Sequence, residues 1–361
     1  AFHMLSADRA SRGLNRMTIP RRRGVSAKTR LTVMLLLTVT IITLVISLLV
    51  WQTSRTALED AIEARISTIN TIKARQVQDL IADVREQIAA LSENEMFINA
   101  MVNFNRSYED LESQQIPSEW EAAVEDYYVS RFFPQLAGRV VGELEFEGYR
   151  PGGQGAFYIQ YHYIAAQADA ENRVNINTAD DGSTWSTTHL RYHARFRRLI
   201  ESFGYEDMYL VDFETGNVVY SVQKEVDLGT SVLTGPYRRS GLGAVVREIQ
   251  RNPARRSVQL VDYQRYQPVL TAPAAFVGAP IYNGPHVVGI LVLRLPTSEI
   301  NRIVTCNQQW QASGLGASGQ SFLISDDLLM RSNARAFIEQ RAAYLDDLLA
   351  IGVNQIGRAH V

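Results

Sequence analysis

The sequence MYLVDFETGNVVYSV, residues Met208 to Val222, decides the fold of this 361-residue chain. Two runs of β-branched and aromatic residues flank a segment, Phe213 to Asn217, whose Thr-Gly-Asn is typical of a turn. The pattern predicts a β-hairpin with strands at Met208–Asp212 and Val218–Val222.

Downstream of the hairpin, the sequence predicts one helix and three more strands. The helix covers Pro236 to Gln250, and the strands cover Ser257–Tyr263, Ala275–Tyr282 and Val287–Leu295. Asn283-Gly284-Pro285 forms the turn between the last two strands. Two strands, a helical crossover and three strands predict an antiparallel five-stranded sheet with helices on one side. The fold class is therefore α+β, with the layout of a PAS-like module.

Upstream of the hairpin, the pattern is helical. Thr188 to Phe203 predicts a helix that ends at Gly204, a residue typical of a C-cap. Residues 52–112 predict a long stalk helix, because Ser54 to Phe104 contains no Gly or Pro and carries an apolar stripe at helical spacing. That stripe favours packing on the chain's own domain, pairing with a second copy in a homodimer, or both.

The chain begins with a basic tail, residues 1–30, followed by an apolar run. Leu31 to Trp51 is 21 residues without a charge. As a helix rising about 1.5 Å per residue, it can cross a hydrocarbon core about 30 Å thick. Eight basic residues against one acidic residue precede it, which places the N-terminus in the cytoplasm and residue 52 onward outside. A cleaved signal peptide is the alternative, but its apolar region is shorter and ends at a small-residue cleavage site.

Charge and cysteine content narrow the function classes. The first 30 residues carry a net charge of +7, and residues 31–355 carry −10. Residues 31–355 have no excess of basic residues, so we do not expect nucleic acid as a partner. The basic tail, in contrast, suits an anionic membrane surface. Cys306 is the only cysteine, so the chain forms no internal disulfide and no cysteine-rich metal site.

Several segments resemble the double-Cache sensors of bacterial membrane receptors. They are FGYEDMYLVD (203–212), ETG (214–216), VYSVQKE (219–225), GPY (235–237), APIY (279–282), GQSFL (319–323) and LMRS (329–332). The resemblance covers roughly residues 31 to 340. Residues 87–96 make the chain most similar to the membrane-bound class III adenylate/guanylate cyclases among these receptors. This resemblance implies a membrane-distal module at 113–310, and a membrane-proximal module, a second membrane span and an output domain farther on.

The C-terminal end predicts a truncated protein. The last six residues, Ile356 to Val361, match one reading frame of a common sequencing adapter. We therefore expect native sequence to end near Gln355, so that residues 311–355 are only the start of the membrane-proximal module. Catalysis by this chain is left open, since no catalytic domain falls within it.

Aromatic and acidic residues on or beside the strands predict a ligand pocket. In a PAS-like module the concave sheet face binds small molecules, and pockets combine aromatic walls with a few polar groups. The predicted lining residues are Tyr209, Tyr220, Tyr237, Asp262, Tyr263 and Tyr266. Strand alternation sends some of them outward, and others serve the core. Trp185 lacks the Arg-x-Trp-Tyr context of double-Cache amino-acid receptors, so an amino-acid ligand is not supported.

Arg191 and Arg195 lie one turn apart on a predicted helix, and their guanidinium groups suit a carboxylate or phosphate ligand. Surface ion pairs with acids such as Glu201 are the alternative. His189 and His193 share a helix face, but no third ligand is signalled, so we expect no metal. The GxGxxG sequence at 314–319 lacks the strand before it and the helix after it that dinucleotide binding needs, so we expect no cofactor.

Taken together, the sequence predicts the sensor region of a bacterial inner-membrane receptor. It is expected to sense a small molecule outside the membrane and to signal to a cytoplasmic output, which the resemblance implies to be a nucleotide cyclase. A chemotaxis receptor or histidine kinase is the alternative output. A membrane-anchored periplasmic binding protein without any output is the alternative of another class.

Overall fold

The computed structural model describes residues 26–167 and 172–350. Within them, five strands form one antiparallel sheet in the order β2-β1-β5-β4-β3. The strands are β1 (Asp207–Asp212), β2 (Val218–Ser221), β3 (Gln259–Tyr266), β4 (Ala272–Asn283) and β5 (His286–Leu295). The predicted α+β class and the antiparallel five-stranded sheet are confirmed.

The strand ends differ from the sequence prediction by a few residues. Strand β3 runs on to Tyr266, and its pairing with β4 is irregular between Val261 and Gln264. Leu270 and Thr271, with φ of 56° and 68°, then turn the chain into β4. A bulge and a turn of this kind leave no clear mark on the alternation of apolar and polar residues.

The α-helices, in chain order, are α1 (Ala27–Ser92), α2 (Glu95–Glu112), α3 (Ser118–Tyr127), α4 (Phe133–Leu136), α5 (Gln154–Gln160), α6 (Thr184–Phe203), α7 (Gly241–Arg251), α8 (Thr297–Val304), α9 (Arg335–Glu339) and α10 (Arg341–Ala350). A π-helical turn, Tyr128–Phe132, joins α3 to α4. The predicted C-cap of α6 is observed, since Gly204 has a left-handed φ of 74°. Helix α7 begins at Gly241, five residues later than predicted, after the N-cap Ser240.

The chain divides into two compact units, residues 1–65 and residues 66–361, and each is described by itself. The described part of the first unit belongs to α1 and contains the charge-free run from Leu31 to Trp51, whose large apolar side chains are exposed. By length and composition, α1 is the one helix among residues 26–167 and 172–350 that could cross a membrane.

The second unit contains the sheet and the remaining helices. The predicted stalk helix is divided here, because α1 ends at Ser92 and α2 starts at Glu95. Between them, Asn94 has extended backbone, and its side chain accepts a hydrogen bond from the N–H of Met96 at 2.9 Å. An asparagine N-cap starts a new helix without Gly or Pro, the two residues whose absence predicted a single one.

One face of the sheet, the α2 face, is covered by α2 and α6. A Cβ at Gly289 of β5 would lie 2.2 Å from Sδ of Met101, so this side of β5 packs directly on α2. The Phe104 ring of α2 lies 4.8 Å from that of Tyr220. Residues on this face of β1 and β5, including Leu210 and Leu291, are fully buried and apolar.

The opposite face, the α7 face, is covered by α7 and by the loop after β2. A Cβ at Gly278 of β4 would lie 2.5 Å from the Val245 side chain of α7. Gly278 pairs with Val292, which pairs in turn with Tyr209, so these positions share the face. The same alternation places Asp207 and its partner Arg294 there.

Residues 311–350 contain short elements only. The predicted strand Ser321–Ser325 contributes a single antiparallel bridge, Ile324 to Met330, followed by α9 and α10. That this segment starts a membrane-proximal module remains a prediction. Ile356 to Val361, and all but the end of the basic tail, lie outside the described residues.

Candidate functional site

The α7 face of the sheet carries a cluster of buried charged and phenolic side chains. Asp207 on β1 is fully buried, and its Oδ1 accepts three backbone N–H groups, from Met208 at 2.7 Å, Val222 at 3.0 Å and Gln223 at 3.1 Å. Its second oxygen, Oδ2, is buried and makes no well-formed hydrogen bond with any described residue, but the neighbouring Tyr209 hydroxyl acts on the carboxyl as a weak donor. Burial raises the pKa of this carboxyl, although Arg294, the backbone donors and the Tyr209 hydroxyl act against the rise.

Arg294 is the cation that faces these acids. It pairs with Asp207 across β1 and β5, and its Nε lies 3.3 Å from a carboxylate oxygen of Glu206. Burial alone would lower its pKa, but Tyr209, Asp207 and Glu206 together raise it. Arg294 therefore stays charged in a buried site, where its partners compensate the loss of water.

Asp227 lies on the loop that follows β2 and is fully buried. The Tyr266 hydroxyl of β3 donates a hydrogen bond to its Oδ2, whereas Oδ1 has no partner in the described chain. Burial raises the pKa of Asp227 to about 7; Tyr266 lowers it and the nearby Asp207 raises it further. Burial followed by the charge of Asp227 raises the pKa of Glu225, on the same loop, to about 7.

Gln160, at the end of α5, holds this loop in place. Its Nε2 donates to the carbonyl oxygens of Val226 at 2.9 Å and Leu228 at 3.0 Å, on either side of Asp227. Tyr128 of the π-helical turn adds a hydrogen bond to the Val226 oxygen at 3.2 Å. The backbone of Asp227 is therefore fixed on both sides, which holds its carboxyl against the sheet.

Arg173 adds unpartnered donors near the same loop. Its side chain is buried, its guanidinium lies over the Tyr127 ring at 4.9 Å, and Nε and Nη2 have no hydrogen-bond partner among residues 26–167 and 172–350. Its charge acts to lower the pKa of Glu225, so the two groups are electrostatic neighbours.

These orphaned atoms have a chemical consequence. A buried polar atom without a partner costs about 1–3 kcal/mol, and more if the group is charged. Asp207 and Asp227 each leave one oxygen in this condition. A proton on the carboxyl reduces the cost because it removes the buried charge, and an incoming molecule that supplies a donor satisfies the oxygen directly. A pKa near 7 for Asp227 makes both accessible at neutral pH.

Three of the predicted pocket residues belong to this cluster. Tyr209 lies on β1 and receives a 3.4 Å hydrogen bond from Nη1 of Arg294. Tyr266 binds Asp227, and Tyr237, which is buried, has Tyr128 and Asp227 as electrostatic neighbours. That these tyrosines contact a ligand stays a prediction.

The other predicted residues lie elsewhere. Tyr220 is on the α2 face, where its hydroxyl bonds to Nδ1 of His193 at 2.8 Å. Asp262 is exposed and pairs with Arg331 at 2.8 Å, and the Tyr263 hydroxyl donates to the Pro296 oxygen. Both line a separate cavity of about 650 Å³ beside residues 325–333.

Arg191 and Arg195 are exposed on α6, the helix that packs on the α2 face. They are therefore separated from the buried cluster by the sheet. Their binding of a carboxylate or phosphate stays a prediction that the structure does not connect to the α7 face.

His193 and its neighbours form a buried network on the α2 face. Nε2 of His193 lies 2.7 Å from the Val174 oxygen and 3.1 Å from Nζ of Lys224, and the His189 ring stacks on His193 at 4.3 Å. Burial holds the pKa of Lys224 well below its usual range and lowers that of His193 to about 3. In the described part of the chain, no group of three or more His, Cys, Asp or Glu side chains could hold a metal ion.

Sequence reasoning missed the charged half of the cluster, namely Asp207, Glu225, Asp227, Arg294 and Arg173. One signal was available: Arg294 interrupts the apolar run of β5, and Asp207 stands at the start of an apolar strand. A charged residue inside a buried strand is rare unless it is paired with an opposite charge. The sequence therefore contained a reason to expect an ion pair between Asp207 and Arg294.

Comparison with known proteins gives limited similarity. No protein-family model matches the chain, and no curated protein matches its sequence. Among solved structures, the sensor domain of the V. cholerae histidine kinase DctB is similar at 12% identity and a TM-score of 0.24, over 51% of this chain and 60% of that one. The chain thus spans less than two thirds of that structure.

Structures of the Campylobacter jejuni chemoreceptor Tlp3 are similar to the same degree. Its ligand-binding domain in complex with 4-methylisoleucine gives 13% identity and a TM-score of 0.27, over 70% of this chain and 75% of that one. Its sensory domain with isoleucine bound gives 13% identity and a TM-score of 0.26, over 71% and 83%. Superpositions this limited do not reach the level of the site residues.

Proposed function

We propose that this chain is the sensory part of a membrane receptor, and that it binds a small molecule at the α7 face of its sheet. The observation that carries the proposal is the pair of buried carboxyl oxygens, Oδ2 of Asp207 and Oδ1 of Asp227, that have no hydrogen-bond partner in the described chain. The double-Cache resemblance supports a ligand site on one face of the sheet, and the buried carboxyl groups are the reason for choosing the α7 face.

The ligand must bring hydrogen-bond donors. Asp207 and Asp227 are ordered by neighbours that already use one oxygen of each, so the free oxygens are fixed acceptors. Glu225 adds a third acid, and Arg294 forms an ion pair with Glu206 at 3.3 Å, although its Nε makes no hydrogen bond with the described residues. An ammonium, amidinium or amide group therefore fits this part of the site best, and the donors of Arg173 offer a complementary end for an acceptor group.

The membrane arrangement follows from the first unit. The run Leu31 to Trp51 spans the membrane, the basic tail lies in the cytoplasm, and the sensor lies outside the bacterial inner membrane. Ligand binding would shift a two-state equilibrium, in a homodimer, toward one signalling state. By the sequence resemblance, the output is a nucleotide cyclase. The alternative output is that of a chemotaxis receptor or a histidine kinase. In the alternative of another class, the chain is a membrane-anchored binding protein without an output domain.

A thermal-shift screen tests the ligand site. The full chain in lipid nanodiscs is scanned against a panel of amines, amino acids, amides, nucleosides and organic acids. We expect at least one donor-bearing compound to raise the Tm of the wild type, and Asp227→Asn to reduce that shift. Asp262→Asn, which changes an exposed aspartate outside the cluster, is the matched control and keeps the shift.

Two results would oppose the proposal. One is the absence of any stabilising compound; the other is an equal shift in wild type and Asp227→Asn.

The orientation is tested separately with Cys306, the single cysteine, which a membrane-impermeant maleimide should label in intact spheroplasts. Labelling that occurs only after detergent permeabilisation would reverse the assigned orientation.

A further inference from the structure

A small cavity beside the N-terminus of α7 has an unusual charge. It measures about 350 Å³, and three arginines line it, Arg139, Arg239 and Arg265, with no acidic side chain among the lining residues that belong to the described ranges. The neighbouring groove of about 690 Å³ mixes Glu112, Glu147 and Glu214 with two arginines.

This concentration of positive charge runs against the background of the chain. Residues 31–355 carry a net charge of −10, so three arginines around one cavity are a local exception. Like charges that converge on one space raise each other's energy, and a low-dielectric wall strengthens the effect. An anion in the cavity would remove that repulsion.

The arginines come from three separate segments whose backbones are tied together. Arg139 follows α4, and its Nη1 donates to the Leu270 oxygen at 3.1 Å. Arg265 lies near the end of β3, and its Nη1 donates to the Arg139 oxygen at 3.1 Å. The two bonds connect the post-α4 segment to β3 and to the β3–β4 turn, so these walls of the cavity hold a fixed relation to each other.

Two of the arginines lack an anionic partner within the protein. Neither Arg139 nor Arg239 forms an ion pair with any residue in the described ranges, and Arg239 makes no hydrogen bond there. Guanidinium groups present a planar fork of donors that matches carboxylate and phosphate oxygens. All three arginine side chains are exposed, so solvation without a bound anion is the alternative, and anion titration distinguishes the two.

The start of α7 adds donors to the same place. Ser240, which lines the cavity, is the N-cap of this 11-residue helix, and its Oγ accepts the Gly243 N–H at 3.3 Å, which leaves the hydroxyl hydrogen available. The first turn of a helix has free N–H groups and a partial positive charge. Thr271 supplies a second hydroxyl to the lining.

From these observations we propose that this cavity is a binding site for a small oxyanion, a molecule that carries a carboxylate or phosphate group. Arg139 and Arg239 bind the oxygens, and the hydroxyl of Ser240 completes the contact. The cavity adjoins the carboxyl cluster through Tyr237, but its lining includes neither Asp207 nor Asp227, and the proposal stands whether or not the chain is a receptor.

Anion titration of the full chain in nanodiscs tests this site. Sodium phosphate and sodium succinate are titrated by calorimetry and by thermal shift, against sodium chloride at equal ionic strength. We expect one or both anions to bind saturably and to raise the Tm beyond the effect of chloride. The stronger of the two identifies the group as phosphate or carboxylate.

Matched variants locate the binding. Arg239→Gln and Arg139→Gln should each weaken it about tenfold, the loss expected for one charge-assisted contact. Arg238→Gln is the control, because Arg238 is the adjacent exposed arginine but lines the acidic groove instead. An unchanged Tm of each variant without anion shows that it folds. Arg239→Gln makes this check reliable, because the Arg239 side chain has no ion pair or hydrogen bond within the described residues to lose.

The proposal would be overturned if chloride raised the Tm as much as phosphate and succinate do, because the effect would then be ionic screening alone. It would equally be overturned if Arg239→Gln and Arg139→Gln bound the anions as the wild type does, or if Arg238→Gln lost as much affinity as they do.

Discussion

The two faces of the sheet are both buried, yet they are built from different chemistry. On the α2 face, Leu210, Leu291 and Leu293 pack against helices, and the polar groups near them, such as Tyr220 and His193, bond to each other. On the α7 face, alternate positions of the same strands carry Asp207, Tyr209 and Arg294.

The difference lies in what each face leaves unsatisfied. An apolar face is complete once it is covered, because burial alone stabilises it. A charged face is complete only when every oxygen and N–H has a partner. Among the described residues, both faces leave buried polar atoms without a partner, such as Nε2 of His189 on the α2 face, but the unpartnered carboxyl oxygens, on Asp207 and Asp227, lie on the α7 face. That is the physical reason to place function on one face and stability on the other.

Removing the buried cation should have the largest effect. Arg294→Met leaves Asp207 and Glu206 without their counter-charge, and breaking a buried pair in this way costs about 3–5 kcal/mol. We expect that loss in the free energy of unfolding, measured by denaturant titration of tryptophan fluorescence in detergent micelles. Adding Asp207→Asn should recover part of it; a loss below about 1 kcal/mol would show that the α7 face does not depend on this ion pair.

A deletion on the α2 face should be nearly as costly but different in kind. Leu291→Ala removes a fully buried side chain and should lower the free energy of unfolding by about 2–5 kcal/mol. Because Leu291 has only apolar partners on its face, the loss should be the same at pH 6 and pH 8. A strongly pH-dependent loss would mean that the cavity left by Leu291 disturbs the titrating groups of this face, such as His193 and Lys224.

The smallest change in the free energy of unfolding is expected at Lys224, whose amine is buried. Burial holds the pKa of Lys224 well below its usual range, so the folded chain favours the neutral form. The stability that this provides is present above the unfolded pKa of about 10.4 and is lost as pH falls toward the folded value. Lys224→Met lacks this loss and should be more stable by about 1 kcal/mol at neutral pH.

The pH profile separates this account from a simple packing effect. The gain from Lys224→Met should grow as pH falls from 9 to 7, measured as the difference in unfolding free energy between variant and wild type. A variant less stable than the wild type throughout that range would show that the hydrogen bonds of Lys224 to His193 and Val222 outweigh its burial.

The sequence was enough to predict the five strands of the sheet, but it revealed only part of the candidate site on the α7 face. Alternating strands and turn residues located all five strands, and Gly204 located the end of α6. Asn94 was harder to recognise, because a capping asparagine within a Gly- and Pro-free stretch looks like a helical residue. The helix break was therefore missed.

The site depends on register, which the sequence does not show. Tyr209 and Tyr220 look alike on the two strands of one hairpin, but Tyr220 pairs with Leu210 and therefore points to the α2 face. Asp207 meets Arg294, 87 residues later, only because β1 lies beside β5 in the sheet. Side chains brought together by strand order, rather than by spacing in the chain, could not be grouped in advance.

The titration of Asp227 tests the central claim most directly. Selective ¹³C labelling of aspartate carboxyls, with Asp227→Asn to assign the signal, gives its pKa by NMR in the full chain. The account predicts a pKa near 7 without ligand, because the carboxyl is buried with one free oxygen, and a lower pKa when a donor-bearing compound from the screen is bound. A pKa near 4 without ligand, unchanged by any such compound, would contradict the assignment of the α7 face as the binding site.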